Sequence, residues 1–289
     1  MEAGQREGAW FAAHPERAAE QRARTEAAAA AGEEAELQWF REAPPPGLDE
    51  YRDLSWRARL ARGWLFITLG LTILSAALEV GHLNIVGDAS TATADISLLQ
   101  RIDDSNATLA TVYLLTLCSF VLCAVFFISW TYRAYKNGFA LGARSPRFGA
   151  GWAVGGWFVP IMWLWRPKQV VDDIWRTSDP GDPPIVRSVD WRNRSVPVLV
   201  SAWWGFFVVS AFVDRISART STATVESDRT STSWALVGSV LTIAAAVLAI
   251  WVVTRLTNRQ RERAAAVQEL AADGSPSGSP QTATTAPAT

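Results

Sequence analysis

Four stretches of the chain are apolar almost without interruption, and each is close to the ~20 residues a helix needs to cross ~30 Å of hydrocarbon. They cover residues 63–83, 107–130, 196–213 and 234–253. The second carries no charge, and the third opens on Pro197, which a first helical turn tolerates. None has the short apolar core and small-residue cleavage site of a signal peptide, so the first is expected to stay as an anchor. The pattern predicts an all-α membrane protein, a bundle of four transmembrane helices. A fifth apolar stretch, residues 148–165 (FGAGWAVGGWFVPIMWLW), is interrupted by Gly149, Gly151, Gly155, Gly156 and Pro160. That composition is poor for a straight helix.

Charge decides how the fifth stretch is used. Segments 1–62, 131–194 and 254–289 hold 23 of the 27 basic residues, whereas the loop 84–106 holds only Arg101 against four aspartates. The positive-inside bias then places those three segments, and both termini, in the cytoplasm. Arg144 and Arg147 precede the fifth stretch and Arg166 and Lys168 follow it. Both its ends are therefore cytoplasmic, and it is expected to lie in the interface or to dip in and return. The expected localisation is multi-pass in a bacterial cell membrane.

The flanks differ from the spans. Residues 1–50 read as a cytoplasmic appendage rich in Ala, Glu and Arg, with Glu20 and Arg24 at helical i,i+4 spacing, closed by the linker Pro44-Pro45-Pro46-Gly47. The transmembrane domain is expected over 51–263 and a disordered cytoplasmic tail over 264–289, where the end of the chain is low in complexity. No internal repeat of the kind many transporters carry is evident.

Between Trp130 and Trp175 six tryptophans alternate with arginines: Trp130, Trp152, Trp157, Trp163, Trp165 and Trp175. Indoles favour the headgroup layer, and guanidinium groups beside them hold phosphate or stack on the ring. Pro167 then opens a short amphipathic helix, PKQVVDDIWRTS, with Val170, Val171, Ile174 and Trp175 on one face. On the other face Asp172 is placed to pair with Arg176, and Asp179-Pro180-Gly181 stops the helix.

The run WTYRAYKNGFALGARSPRFGAGWAVGGWFVPIMWLWRPKQVVDDIWRTSD, followed by Trp203-Trp204, resembles the bacterial, mainly actinobacterial, membrane proteins called domain of unknown function 4328. The shared pattern falls on Trp130, Arg133, Ala134, Asn137, Trp152, Trp157-Phe158-Val159-Pro160, Pro167, Ile174-Trp175 and Ser178. The resemblance covers roughly Trp64 to Val213 and extends to the last span. It implies a membrane location and architecture; the family has no established activity to transfer. Its Pro-rich or metal-binding N-terminal tails are absent from this chain.

Candidate chemistry is sparse. Asp172-Asp173 is the one paired carboxylate near a plausible site, and the solvated face of the amphipathic helix accounts for it more economically than a metal or acid–base role. Glu79 and His82 form the one ionisable cluster near membrane depth, where a carboxylate often marks an ion path. Glu79 lies about one turn from the outer end of its span, within expected reach of water or Arg101, which favours a structural reading. Cys118 and Cys123 do not face one another on a helix and read as packing residues. Gly151 and Gly155 match the small-xxx-small contact pattern, with packing inside the chain and dimerisation both open. With only His14 and His82 in the chain, a zinc or His-based catalytic site is not expected, nor is a phosphate-binding loop.

The leading expectation is a non-catalytic module, without cofactor or metal, that binds lipid headgroups or a membrane partner through its cytoplasmic-side Trp/Arg segment. Its binding residues would be Trp130, Arg133, Asn137, Arg144, Arg147, Trp152, Trp157, Pro160, Arg166, Lys168 and Trp175. Its expected partners are the lipid bilayer and a membrane protein or a second copy; the net charge of -1 gives no field for nucleic acid. The alternative is a small-solute transporter or channel acting as an oligomer, with Gly155 to Pro160 as a re-entrant break.

Overall fold

A computed structural model describes residues 50–89, 96–143, 146–181, 189–220 and 224–273, together with scattered positions between 16 and 31. Four long helices dominate it: α1 (Ser55–Ala89), α2 (Ile96–Ala140), α5 (Val198–Thr220) and α6 (Val225–Asp273). Each covers one of the four apolar stretches, α5 starting just after Pro197 rather than including it, and each is long and apolar enough to cross a membrane. Only 22% of the most apolar stretch of α2 is buried inside the protein. Leu114, Leu117, Val121 and Val125 face outward, as does Phe66 on α1, an apolar surface that lipid covers and water would not. No strand occurs among the described residues.

The fifth stretch forms no long helix. It folds as the single turn α3 (Trp152–Gly155) and a 3-10 turn (Met162–Leu164); α4 (Arg166–Thr177) follows, with Pro167 in its first turn. Ile161 enters the 3-10 turn with φ 68°, a left-handed conformation that a β-branched residue adopts only under strain. Gly151 and Gly155, the small-xxx-small pair, approach nothing; the close approach is at Gly156, where a Cβ would meet the Arg166 stem at 2.6 Å.

α1 packs along both α2 and α6, and α6 packs along α5. The helices thus stand in the order α2–α1–α6–α5, and the two outer members, α2 and α5, share no extensive interface. α3 and α4 close the gap between them at one end, where Phe127, Trp157, Trp203 and Trp204 pack in edge and tilted ring contacts 5.5–6.0 Å apart. Arg52, Arg147, Arg166, Arg259 and Arg263 gather at this end.

Two expected boundaries shift. α2 runs ten residues past Trp130, so Arg133, Ala134 and Asn137 sit on its last turns rather than in a loop. α6 continues to Asp273, so residues 264–273 are helix rather than tail. Gln260, Arg263 and Val267 extend its buried face beyond the membrane span, which holds the helix in place there. In the N-terminal appendage, the described positions between 16 and 31 are helical, and Arg24 pairs with Glu20 at 2.7 Å. The linker 44–47 and residues 274–289 lie outside the described residues.

Candidate functional site

The residues singled out in the Trp/Arg segment serve mainly to hold the protein's own end together. Trp130 is fully buried and donates its indole N–H to Thr257 Oγ1 at 3.1 Å, joining α2 to α6. Asn137, also fully buried, grips the backbone of Arg52 from both sides, donating to its carbonyl at 2.8 Å and accepting from its N–H at 3.3 Å. Gln260 donates to the Ala134 carbonyl at 2.7 Å, and Arg263 to the carbonyls of Asp179 and Leu141 at 2.7 and 3.3 Å. Trp175 stacks on Trp251 at 6.0 Å with the Arg259 guanidinium 4.5 Å from its ring. Trp130 and Asn137 are thereby withdrawn from any lipid surface, because each side chain satisfies a buried group on another element.

The remaining residues of the set divide. Arg166 lies over Phe148 and Trp152, at 4.0 and 5.1 Å, while Lys168 pairs with Asp172 at 2.7 Å. Arg133 donates to the Glu50 carbonyl at the surface. Trp152 and Pro160 are exposed, as are their neighbours Phe158 and Ile161. Arg144 lies outside the described residues.

Asp173 departs from expectation. It is fully buried, not on a solvated face, with Arg176 at 3.6 Å and Arg147 at 3.8 Å. Asp172 is also buried, and its partner is Lys168 rather than Arg176. Burial pushes the Asp173 carboxyl up to about 6, against the pull of the two arginines. Helix α4 is covered on both faces because α2 packs against the side that its sequence marks as polar: Gly138 approaches Thr177 so closely that a Cβ would lie 2.5 Å from its hydroxyl.

An open feature lies elsewhere, between the four long helices. A cavity of about 1060 Å³ runs from the Trp157–Trp203–Phe127 floor to Asp214 and Asp228 near the opposite end. Every helix contributes a stripe with helical 3–4 spacing: Thr68, Thr72, Ser75 and Glu79 from α1; Tyr113, Thr116, Phe120, Cys123 and Phe127 from α2; Trp203, Phe207, Ser210 and Asp214 from α5; Asp228, Thr232, Ala235, Ser239 and Thr242 from α6. The hydroxyls of Thr72, Ser75, Thr116 and Ser210 bond to carbonyls of their own helix, so they line the space without needing a partner across it. Because α2 and α5 do not pack along one another, the open side of the row is the gap between them.

Glu79 and His82 each tie three helices together. Glu79, expected near water or Arg101, is instead fully buried; its Oε1 accepts from Tyr113 at 2.9 Å and from Ser239 at 3.1 Å. Its Oε2 has no hydrogen-bond partner among the described residues. One turn further, His82 joins Ser105 and Asp228, each at 3.0 Å. Asp214 lines the cavity from α5, its carboxylate lying against the backbone of Gly238, where a Cβ would collide with it. The α1 series Leu65, Thr68, Thr72, Ser75, Glu79, His82 and Val86 is buried throughout. Its 3–4 spacing inside an apolar span was the sequence signal for this site, and sequence reasoning noted only its last two polar members.

Architecture and cavity together define a multi-pass membrane domain of four helices with an internal chamber. Residues 92–258 match the family described as Domain of unknown function (DUF4328), and the chain belongs to that family. The match leaves out the α1 span, which the resemblance from Trp64 had included, and takes in the last span. No curated protein and no solved structure matches the chain.

Proposed function

We propose that this chain is a non-catalytic binding module of the bacterial cell membrane, with both termini cytoplasmic, that takes an amphipathic molecule from the bilayer into the cavity between its helices. The observation that carries this reading is the cavity of about 1060 Å³, apolar over most of its length and polar at one end. Its size and mixed lining suit a drug- or lipid-sized molecule. The gap between α2 and α5 gives such a molecule a sideways route from lipid.

In this reading the Trp/Arg segment is the cytoplasmic floor rather than the principal binding surface. The gathering of 23 of 27 basic residues in three segments supports its cytoplasmic side. The exposed Trp152, Phe158 and Ile161 would rest in the inner leaflet. A second reading, solute transport, draws support from the carboxylates inside the spans. It requires the Phe127–Trp157–Trp203 floor to open, since those rings close the cavity at that end.

Native mass spectrometry of the full chain, extracted in a mild maltoside detergent, tests the binding reading. The expected result is a retained amphiphile that Ala246→Trp, which fills the cavity, displaces. Wild-type protein free of bound amphiphile, or a ligand held equally by the filled variant, overturns it. Flux across proteoliposomes that is abolished by the same variant would favour transport.

A further inference from the structure

The polar end of the cavity carries a charge imbalance that names the kind of molecule it would hold. Among the described lining residues the charged ones are Glu79, Asp214, Asp228 and Arg215. Arg215 follows Asp214 directly on α5, so the two side chains diverge by about 100° around the helix. The three carboxylates line the same end of the cavity, where the Tyr113 hydroxyl donates to Glu79. His82 faces this group and is engaged by Asp228 and Ser105.

Carboxylates buried without compensation are costly, and a low-dielectric site makes each missing partner matter more. Tyr113 and Ser239 satisfy one oxygen of Glu79; its Oε2 is buried beside the cavity with no hydrogen-bond partner among the described residues. Asp214 has its own approach guaranteed by Gly238, the position at which any larger residue would push it aside. A metal ion does not suit the arrangement. Among the described residues no three His, Cys, Asp or Glu side chains are gathered closely enough to hold one, and the space is far larger than an ion.

We propose that the cavity selects an amphipathic organic cation, its ammonium head between Glu79 and Asp214 and its apolar tail directed toward Phe207 and Trp203. This rests on the cavity being a binding site for amphiphiles, and adds the charge of the head. The head meets the unpartnered Oε2 of Glu79 and the open carboxylate of Asp214. The tail meets the rings of the floor, and the hydroxyls of Thr72, Ser75, Thr116 and Ser210 between are already bonded to their own helices.

The tryptophans at the floor supply the readout, because a brominated alkyl chain quenches indole fluorescence on contact. The full chain in maltoside micelles is titrated with a brominated dodecylammonium salt, whose primary head keeps its N–H donors, and, separately, with the brominated alcohol of the same chain length. The cation is expected to saturate quenching at about tenfold lower concentration, the factor that a charge-assisted contact of ~1.4 kcal/mol provides. Glu79→Gln and Asp214→Asn should each bring the two probes to within about twofold. Asp214→Asn stands alone if Glu79→Gln does not fold, since among the described residues Asp214 makes no hydrogen bond to another helix, whereas Glu79 makes two. Saturable quenching by both probes at equal concentration, in wild type, overturns the charge preference and leaves the cavity reading standing. Quenching by neither probe that saturates overturns both. A preference for the cation that survives both substitutions also overturns the assignment, because the head is then held elsewhere.

Discussion

At the Arg-rich end, Asn137, Gln260 and Arg263 each direct their side-chain donors to a backbone carbonyl of another segment. Within the spans of α1 and α5, Thr72, Ser75 and Ser210 bond only to their own turns, and Glu79 keeps an oxygen without a partner among the described residues. The first arrangement locks α1, α2, α4 and α6 into one geometry, since a long-range hydrogen bond is lost if either element moves. The second leaves space between the helices, bridged at the far end by Glu79 and His82, and lines it with these hydroxyls, which hold nothing across the gap. Polar residues of similar type thus build a clasp at one end and a lining at the other, and the difference lies in where their donors go.

Substitutions should separate the two ends sharply. Trp130→Ala removes a fully buried ring and its bond to Thr257, and should cost about 3–5 kcal/mol, read as a large drop in the midpoint of detergent-phase thermal unfolding. Asn137→Ala should follow at about 2–3 kcal/mol, because both backbone groups of Arg52 lose their buried partner. A Trp130→Ala protein as stable as wild type would remove the contrast altogether.

The glycines sharpen the comparison inside the membrane. Gly238→Ala drives a methyl group into the Asp214 carboxylate and should cost about 1–3 kcal/mol in the same unfolding assay. Gly155→Ala, where nothing lies within 4 Å, should change stability by no more than about 1 kcal/mol. Equal effects at both glycines would mean that the α5–α6 approach is not what Gly238 protects.

Asp173 gives the Arg-rich end a pH signature. With its carboxyl raised from 3.8 to about 6, the native state holds the proton more tightly than the unfolded chain does. Stability should therefore fall as pH rises through that window, with the penalty absent below it and complete above it. Between about pH 5 and pH 7.5 the loss should be about 1 kcal/mol, and Asp173→Asn should flatten that slope. A slope unchanged in the variant would assign the titration to another group. The smallest effect is expected in the lining: Thr72→Val removes a hydroxyl bonded only within α1 and should shift the unfolding midpoint by less than about 1 kcal/mol.

Much of the fold was legible in the chain because spans and helix starts are local properties. Four apolar runs of sufficient length, Pro167 at the head of α4, and the Val170–Val171–Ile174 face all follow from composition and period, and all three valine and isoleucine positions are buried. Glu20 and Arg24 met as their spacing required. The interruption of residues 148–165 by glycine and proline likewise fits short turns in place of a fifth long helix.

What the sequence could determine by itself was therefore which segments are helices and which face of each is distinctive. It could not determine what each face meets. A polar face on α4 reads as solvated until α2 is laid against it, and Asp173 then becomes one of the most enclosed groups in the protein. The stripe Thr68–Thr72–Ser75–Glu79 has a period but no meaning until α2, α5 and α6 bring their own stripes around the same space. Trp130 and Asn137 read as interfacial until Thr257 and Arg52, far away in the chain, take up their donors. Period and composition act over a few residues, whereas burial and the choice of hydrogen-bond partner arise between segments distant in sequence, and only the packed structure brings those together.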